Sequence, residues 1–230
     1  MSKPVLLLLL VALAAGCGSS SSGTPVVTQA TITHVPVSPA PTALTVFRVQ
    51  DGKLNAEVSH VPRTTAVASS ALGALGLAAP VTIAGGTAHV ALDHASADEI
   101  AEIVYTLTQF PSIERVDVAG RTGLTRTDFA AYVPPILVES PGSGAEVPLA
   151  IHVMGSASVF EATFVVELVR DGKLLDKQTV TASEGAPARG TFETTLHAPS
   201  AGDVTVSAFA PSAENGSPQH QVDVPVHVTP

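Results

Sequence analysis

The stretch SADEIAEIVYTLTQFP (residues 96–111) brings a helix start, an apolar stripe and a helix stop together. Ser96 and Glu99 have the spacing of a capping box, in which each side chain accepts a hydrogen bond from the backbone N–H of the other residue. Apolar side chains then recur at helical spacing: Ile100, Ile103, Val104, Leu107 and Phe110. Pro111 is expected to end the helix. The stretch therefore predicts an amphipathic helix whose apolar face needs a covering layer.

Runs typical of strands lie on both sides of this helix. Asp51-Gly52 separates two of them and predicts a hairpin, and Gly85-Gly86 separates two more. A second helix is expected over residues 63–77, with Thr64 or Thr65 as its N-cap. The strands are predicted at residues 44–49, 54–61, 81–83, 87–92 and 113–118. This order predicts an α+β sandwich with its helices on one face of a small sheet.

The run VTIAGGTAHVALDHASADEIAEIVYTLTQFPSIERVDVAG (residues 81–120) resembles the GerMN domain of bacterial spore-germination and cell-envelope lipoproteins. Its most specific parts are residues 103–111 and the following strand, which contains Val116 and Val118. The resemblance implies a GerMN-like domain, which we place at residues 42–133. It also implies self-association, because similar folds build rings by packing helix faces against neighbouring sheets.

The pattern changes at Val133-Pro134-Pro135, where consecutive prolines favour an extended chain. Phe129, Tyr132 and Ile136 beside it are interpreted as a seam between domains, with an exposed patch as the alternative. Beyond this point apolar and polar residues alternate, and about seven strands fit before the end of the sequence. The pattern predicts an all-β, immunoglobulin-like antiparallel sandwich over residues 134–230. Pro225 lacks a backbone donor, so the last strand is expected at a sheet edge.

Three segments of this second half carry a resemblance of their own. They are residues 155–164 (GSASVFEATF), 190–192 (GTF) and 212–217 (SAENGS). Together they resemble the immunoglobulin-like domain of bacterial spore germination. The resemblance implies recognition at the last of these loops, so Ser212, Gly216 and Ser217 are candidate partner-binding residues.

Glu161 is the acidic residue of most interest, because it stands among Val159, Phe160, Ala162 and Phe164. A buried carboxylate must find hydrogen-bond donors or shift its pKa. We expect Glu161 to be buried and bonded to backbone amides, and a role with Phe160 in binding a partner is the alternative.

The N-terminus has the features of an export signal. A single Lys3 precedes an apolar run, and Leu13-Ala14-Ala15-Gly16-Cys17 resembles the lipobox of bacterial lipoproteins. We predict a signal peptide over residues 1–16, a Cys17 that carries diacylglycerol and an acyl chain such as palmitate, and a flexible tether over residues 17–41. An ordinary secretory signal is the alternative. The expected location is the outer face of the cytoplasmic membrane, with the lipid as the anchor.

Composition narrows the chemistry. The net charge of −9 argues against nucleic acid as a partner, and one cysteine permits neither a disulfide within the chain nor a four-cysteine zinc site. No motif for a catalytic nucleophile, a metalloprotease or a phosphate-binding loop is present, so we predict no enzyme activity and no cofactor. The group that comes nearest to a metal site is His89, Asp93, His94 and Asp98, which we interpret as outward-facing and helix-capping positions.

These features favour a membrane-anchored extracytoplasmic lipoprotein that presents two noncatalytic binding or assembly modules in cell-envelope or spore-germination processes. Its partners would be envelope or spore-wall proteins, or peptidoglycan. The first alternative is an accessory sensor that binds wall fragments or a membrane sensor kinase. A peptidoglycan hydrolase is the second alternative, and no residue pattern supports it.

Overall fold

Strands β1 (Thr42–Gln50) and β2 (Lys53–Val61) form an antiparallel hairpin at the start of the structure, a computed structural model that describes residues 40–230. Asp51 and Gly52 have φ angles of 51° and 72°, the left-handed pair that a two-residue hairpin turn favours. The predicted hairpin is confirmed. The predictions for residues 1–39, including Cys17, lie outside the described residues.

Helix α1 (Val67–Ala74) is shorter than the predicted helix over residues 63–77. Neither threonine caps it: the N-cap position is Ala66, which makes no side-chain cap. The Thr64 hydroxyl instead accepts a hydrogen bond of 3.0 Å from the Ala66 amide. This local turn competes with helix formation and keeps residues 63–65 out of the helix.

Four short strands build a second sheet. They are β3 (Val81–Ala84), β4 (Thr87–Val90), β5 (Arg115–Val118) and β6 (Arg121–Leu124), in that spatial order. β4 and β5 are parallel and the other pairs are antiparallel. The sequence did not predict β6, because only Leu124 of its four residues is buried and no alternation marks it. Ala119 and Gly120 turn the chain into β6 with positive φ angles of 50° and 74°.

Helix α2 (Ala97–Leu107) connects β4 to β5 and begins with the predicted capping box. The Glu99 amide donates to the Ser96 hydroxyl at 3.2 Å, and the Ser96 amide donates to the Glu99 carboxylate at 2.7 Å. The helix ends before Pro111, at Leu107, where the Thr108 hydroxyl donates to the Val104 carbonyl at 2.6 Å. The predicted apolar stripe is buried except for Phe110, which is half-buried.

A second face of α2 is polar, and its side chains form hydrogen bonds with the backbone groups on the edge of β1 that does not pair with β2. The amide of Phe47 donates to the Thr106 hydroxyl at 2.9 Å, and the amide of Val49 donates to the Glu102 carboxylate at 2.7 Å. The Gln109 side chain donates to a carbonyl further along the same strand at 2.8 Å. Since helix side chains satisfy these backbone groups, β1 and β2 remain a separate two-stranded sheet. The expectation of one small sheet is therefore wrong: two sheets and both helices share one core.

The two glutamates of α2 predict opposite responses to pH. Hydrogen bonds from the Ser96 amide and hydroxyl hold the pKa of Glu99 below its ordinary value, so its contribution to stability is lost as pH falls. Burial raises the pKa of Glu102, although the Val49 amide and Arg48 oppose this, so ionised Glu102 costs stability as pH rises. Between about pH 3 and about pH 7, Glu99→Gln should lose stability relative to the parent and Glu102→Gln should gain it.

Urea unfolding of both variants across this pH range measures the two slopes, and each variant serves as the control for the other. Slopes of the same sign would contradict the assignment.

The second half of the described chain is a pair of facing sheets. One has the order β11-β10-β13-β14-β8 and the other has the order β12-β9-β7. Their strands are β7 (Ile136–Ser140), β8 (Glu146–Val147), β9 (Ala150–Ala157), β10 (Thr163–Arg170), β11 (Lys173–Thr181), β12 (Gly190–His197), β13 (Gly202–Pro211) and β14 (Pro218–Val228). The seven predicted strands are present, and their inward side chains form one core that includes Phe164 and Leu196. All pairings are antiparallel except that of β14 with β8.

The prediction that β14 lies at an edge is wrong, because the two-residue strand β8 borders it. The β8 pairing begins at His227, two residues beyond Pro225, so the ladder does not need the missing proline donor. Pro225 takes part through its carbonyl, which accepts from the Gly144 amide at 2.8 Å.

The two cores meet at β7. Phe129 is buried in the first core and Ile136 in the second, which excludes an exposed patch at these two residues. Ser143, just beyond β7, donates its amide to the Ala56 carbonyl and accepts from the Val58 amide, both at 2.8 Å. A backbone connection therefore joins β2 to the second half. The domain boundary at residues 133/134 stays a prediction.

Candidate partner-binding surface

Three loops lie together at one end of the β7–β14 sandwich: residues 158–162, 182–189 and 212–217. β10 begins beside the end of β11, where Thr163 pairs with Thr181. On its other side Val165 pairs with Phe209, near the end of β13. The loops that leave these strand ends must therefore be neighbours. Phe160, Glu161, Ser212, Gly216 and Ser217, the residues predicted from the sequence, all lie on this end of the sandwich.

The first loop contains a 3₁₀ turn, Phe160–Ala162, that carries an exposed aromatic ring. Phe160 is 80% exposed, whereas Val159 and Ala162 on either side of it are buried. The Val159 carbonyl accepts from the Ala186 amide at 2.9 Å, and the Ala162 carbonyl accepts from the Ala182 amide at 2.9 Å. The second loop thus fixes the base of the turn while its tip presents Phe160 to solvent.

Glu161 is exposed, so the prediction of a buried carboxylate bonded to backbone amides is wrong. The backbone explains the difference. The prediction rested on apolar neighbours, but Glu161 and Ala162 have positive φ angles of 54° and 56° and lie in a turn, where apolar neighbours do not imply burial. The turn directs Glu161 outward beside Phe160. A role in partner binding stays a prediction for this residue.

The third loop is held by its own backbone. The Ser212 amide donates to the Ser217 carbonyl and the Gly216 amide donates to the Ser212 carbonyl, both at 2.8 Å. Gly216 has a φ of 74°, which a residue without a Cβ adopts readily. Asn215 accepts the Ser217 amide through its side chain at 3.0 Å. Gly216 and Ser217 are exposed and Ser212 is half-buried, so the loop offers a shaped polar surface beside the aromatic tip.

Each loop contributes one exposed carboxylate: Glu161, Glu184 and Glu214. Within residues 40–230, none of the three forms an ion pair. The nearby Arg189 turns away, since it donates to the Pro134 carbonyl at 2.6 Å and to Ser156 at 3.2 Å. Burial lowers the pKa of Arg189, yet an arginine remains charged at neutral pH. This end of the sandwich therefore presents one exposed aromatic side chain and three exposed carboxylates.

Sequence reasoning identified two of the three loops and missed the loop with Glu184. Nothing in the local pattern links residues 182–189 to Phe160, because the contact depends on the pairing of β10 with β11. It also missed Arg126, a residue with several polar contacts, one of which joins the two halves. Its guanidinium meets Glu139 at 2.7 Å and Thr108 at 2.9 Å.

The histidine and aspartate residues with metal-like spacing do not converge. His89 pairs with Asp117 at 2.9 Å, and Asp98 accepts from the Tyr132 hydroxyl at 2.9 Å. In the described part of the chain, no group of three or more His, Cys, Asp and Glu residues is placed to hold a metal ion. Among the helices of residues 40–230, none has the length and apolar character needed to span a membrane.

Residues 135–217 match the family model described as the immunoglobulin-like domain of bacterial spore germination. The two facing sheets observed over these residues are consistent with the immunoglobulin-like part of that description. The match does not extend to residues 42–133, and the GerMN resemblance stays a prediction.

No curated protein matches the chain. Among solved structures, an engineered protein is similar, with 18% sequence identity and a TM-score of 0.31. The alignment covers 60% of this chain and 29% of the engineered chain. A similarity of this size carries no argument about fold or function.

Proposed function

We propose that the protein is a membrane-anchored extracytoplasmic lipoprotein that presents two noncatalytic modules, and that the loop end of its immunoglobulin-like domain binds a cell-envelope or spore-wall partner. The family match at residues 135–217 supports a module related to germination. The lipobox resemblance at Cys17 supports the anchor, and the GerMN resemblance supports the other module. Fold alone does not identify a partner, so the proposal depends on the surface.

The observation that carries the binding proposal is the exposure of Phe160. A phenylalanine that is 80% exposed leaves a large apolar area in water, and aromatic side chains are enriched at protein interfaces. Its turn is fixed by hydrogen bonds to a neighbouring loop, so little order has to be gained on binding.

A photo-crosslinking residue at position 160, in the full chain in intact cells, tests this surface. Leu174 provides the matched control, since it is 49% exposed and lies at the opposite end of β11. A partner should be captured from position 160 and not from position 174. With that partner purified, Phe160→Ser should weaken binding by about tenfold or more, and Leu174→Ser should leave it unchanged. Equal losses in the two variants would reject the surface.

The same experiment separates the scaffold from the accessory sensor. Capture of an envelope or spore-wall protein from position 160 supports the scaffold. Capture of a membrane histidine kinase would instead support the accessory sensor and reject the scaffold.

The anchor has its own test. In a bacterium that processes lipoproteins, the parent chain should incorporate radiolabelled palmitate and sediment with membranes, because two or more acyl chains hold a protein stably at a bilayer. Cys17→Ala should lose the label and the membrane association. A Cys17→Ser variant controls for side-chain size and should behave like the alanine variant. Full membrane association of both variants would reject lipidation.

A further inference from the structure

The two edges of the β3-β4-β5-β6 sheet are unlike each other. Proteins often protect an exposed edge strand with charged side chains, proline or a covering segment. β6 follows this rule with Arg121. β3 does not: its sequence is Val-Thr-Ile-Ala, it has no charged side chain, and its last three residues are exposed.

Over residues 40–230, no strand pairs with β3 on this edge. The Val81 amide points away from β4, since it donates to the Ser69 hydroxyl at 3.0 Å. Alternate residues of an antiparallel strand direct their N–H and C=O groups to the same side, so Ile83 presents both groups to the open edge. The pairing of Ala84 with Thr87 across the two-residue turn leads to the same conclusion, because Ala84 then directs its N–H and C=O groups towards β4 and Ile83 directs its own away from β4.

An apolar groove adjoins this edge. It has a volume of about 360 Å³ and lies between β3, the start of α1 and residues 110–113. Val67 and Ile83, 42% and 46% exposed, form parts of its walls, and Phe110 also lines it. Among the described residues, no charged side chain lines the groove.

We propose that β3 is a docking edge for an extended, uncharged segment of a partner polypeptide, which adds to the sheet as a fifth strand. Its backbone pairs with Ile83, and its alternate apolar side chains enter the groove beside Val67 and Phe110. The lining selects an uncharged segment, because a charged side chain would lose its hydration there without meeting an opposite charge. This site lies on the other half of the chain from Phe160 and is independent of the proposed function.

The test uses the full chain in detergent and a probe peptide, acetylated and amidated Thr-Val-Thr-Val-Thr-Val, at millimolar concentration. Hydrogen exchange followed by mass spectrometry should show about tenfold slower exchange in the fragment that contains Ile83. A second peptide with proline at the central valine lacks a ladder donor and should give no protection.

Two variants complete the design. Ile83→Asp should abolish the protection, whereas Thr122→Asp, on the opposite edge of the same sheet, should retain it. Ile83→Thr keeps the strand uncharged and should also retain it, which separates the effect of charge from a loss of folding. Phe160→Ser should leave the protection unchanged, so failure here and failure of the proposed function are distinguishable.

Three results would overturn the proposal. They are equal protection in the Ile83→Asp variant, equal protection by the proline peptide, and a dimer in sedimentation that Ile83→Asp dissolves. The last result would make β3 an interface between copies of this chain.

Discussion

Gly155→Ala should lower the free energy of unfolding by about 3 kcal/mol or more, the largest effect that we expect from one methyl group in this chain. Gly155 lies in β9, the central strand of the β12-β9-β7 sheet. A Cβ there would overlap the carbonyl oxygen of Leu137 on β7 and stand 3.0 Å from the ring of Phe192 on β12. Backbone cannot move aside as a flexible side chain can, so the strands would have to separate.

Gly73→Ala is the matched control and should act in the opposite direction. Gly73 lies in α1 and is exposed, and beyond its own helix no atom of residues 40–230 lies within 4 Å of the place an alanine methyl group would take. Alanine in a helix is favoured over glycine by about 1 kcal/mol, so this variant should be more stable than the parent. Urea unfolding of the three proteins measures both changes. A Gly155→Ala chain as stable as the parent would show that β7 and β9 lie further apart than the structure places them.

Arg126→Met should lower the free energy of unfolding by about 2 kcal/mol, the second largest effect. The guanidinium carbon of Arg126 lies 4.7 Å from the centre of the Tyr105 ring and 5.5 Å from that of Phe47. Its 2.7 Å ion pair with Glu139 joins the first half of the chain to β7, and both side chains are less than one-third exposed. Methionine retains much of the apolar stem and removes the charge, which leaves Glu139 without its partner.

A double-mutant cycle with Glu139→Gln isolates the ion pair. If the pair contributes as its geometry indicates, the two changes should be coupled by about 1 kcal/mol. Coupling near zero would assign the effect of Arg126 to its contacts with the aromatic rings and to its hydrogen bond with Thr108. Thermal unfolding followed by circular dichroism supplies the free energies for all four proteins.

The sequence predicted the elements whose causes are local. The capping box at Ser96 and Glu99 and the turn at Asp51-Gly52 each depend on atoms a few residues apart, and the structure has both. The two-residue alternation beyond residue 134 located seven strands of the second half. The predicted start of α1 was wrong because Thr64 forms a local turn instead of capping the helix. Strand β6 was missed because it buries only Leu124.

The candidate surface was predicted in part. Phe160 and the loop from Ser212 to Ser217 lie at the same end of the sandwich, as the partner-binding interpretation requires. Glu161 was expected inside because its neighbours are apolar, and a backbone at positive φ placed it outside. Glu184 could not be associated with Phe160, since only the pairing of β10 with β11 brings their loops together.

The sequence by itself determined the turns, the helix cap, the strand periodicity and the change of pattern at residues 133–135, because each arises from interactions within a short stretch. Only the tertiary structure decided which groups form hydrogen bonds with the backbone of each edge strand. The Thr106 hydroxyl accepts a hydrogen bond from the amide of Phe47, 59 residues away in sequence, so α2 pairs with the edge of β1 as well as covering the core. The edge of β3 received no such partner from the described residues. Contacts between distant residues depend on how whole elements pack, which no local pattern records.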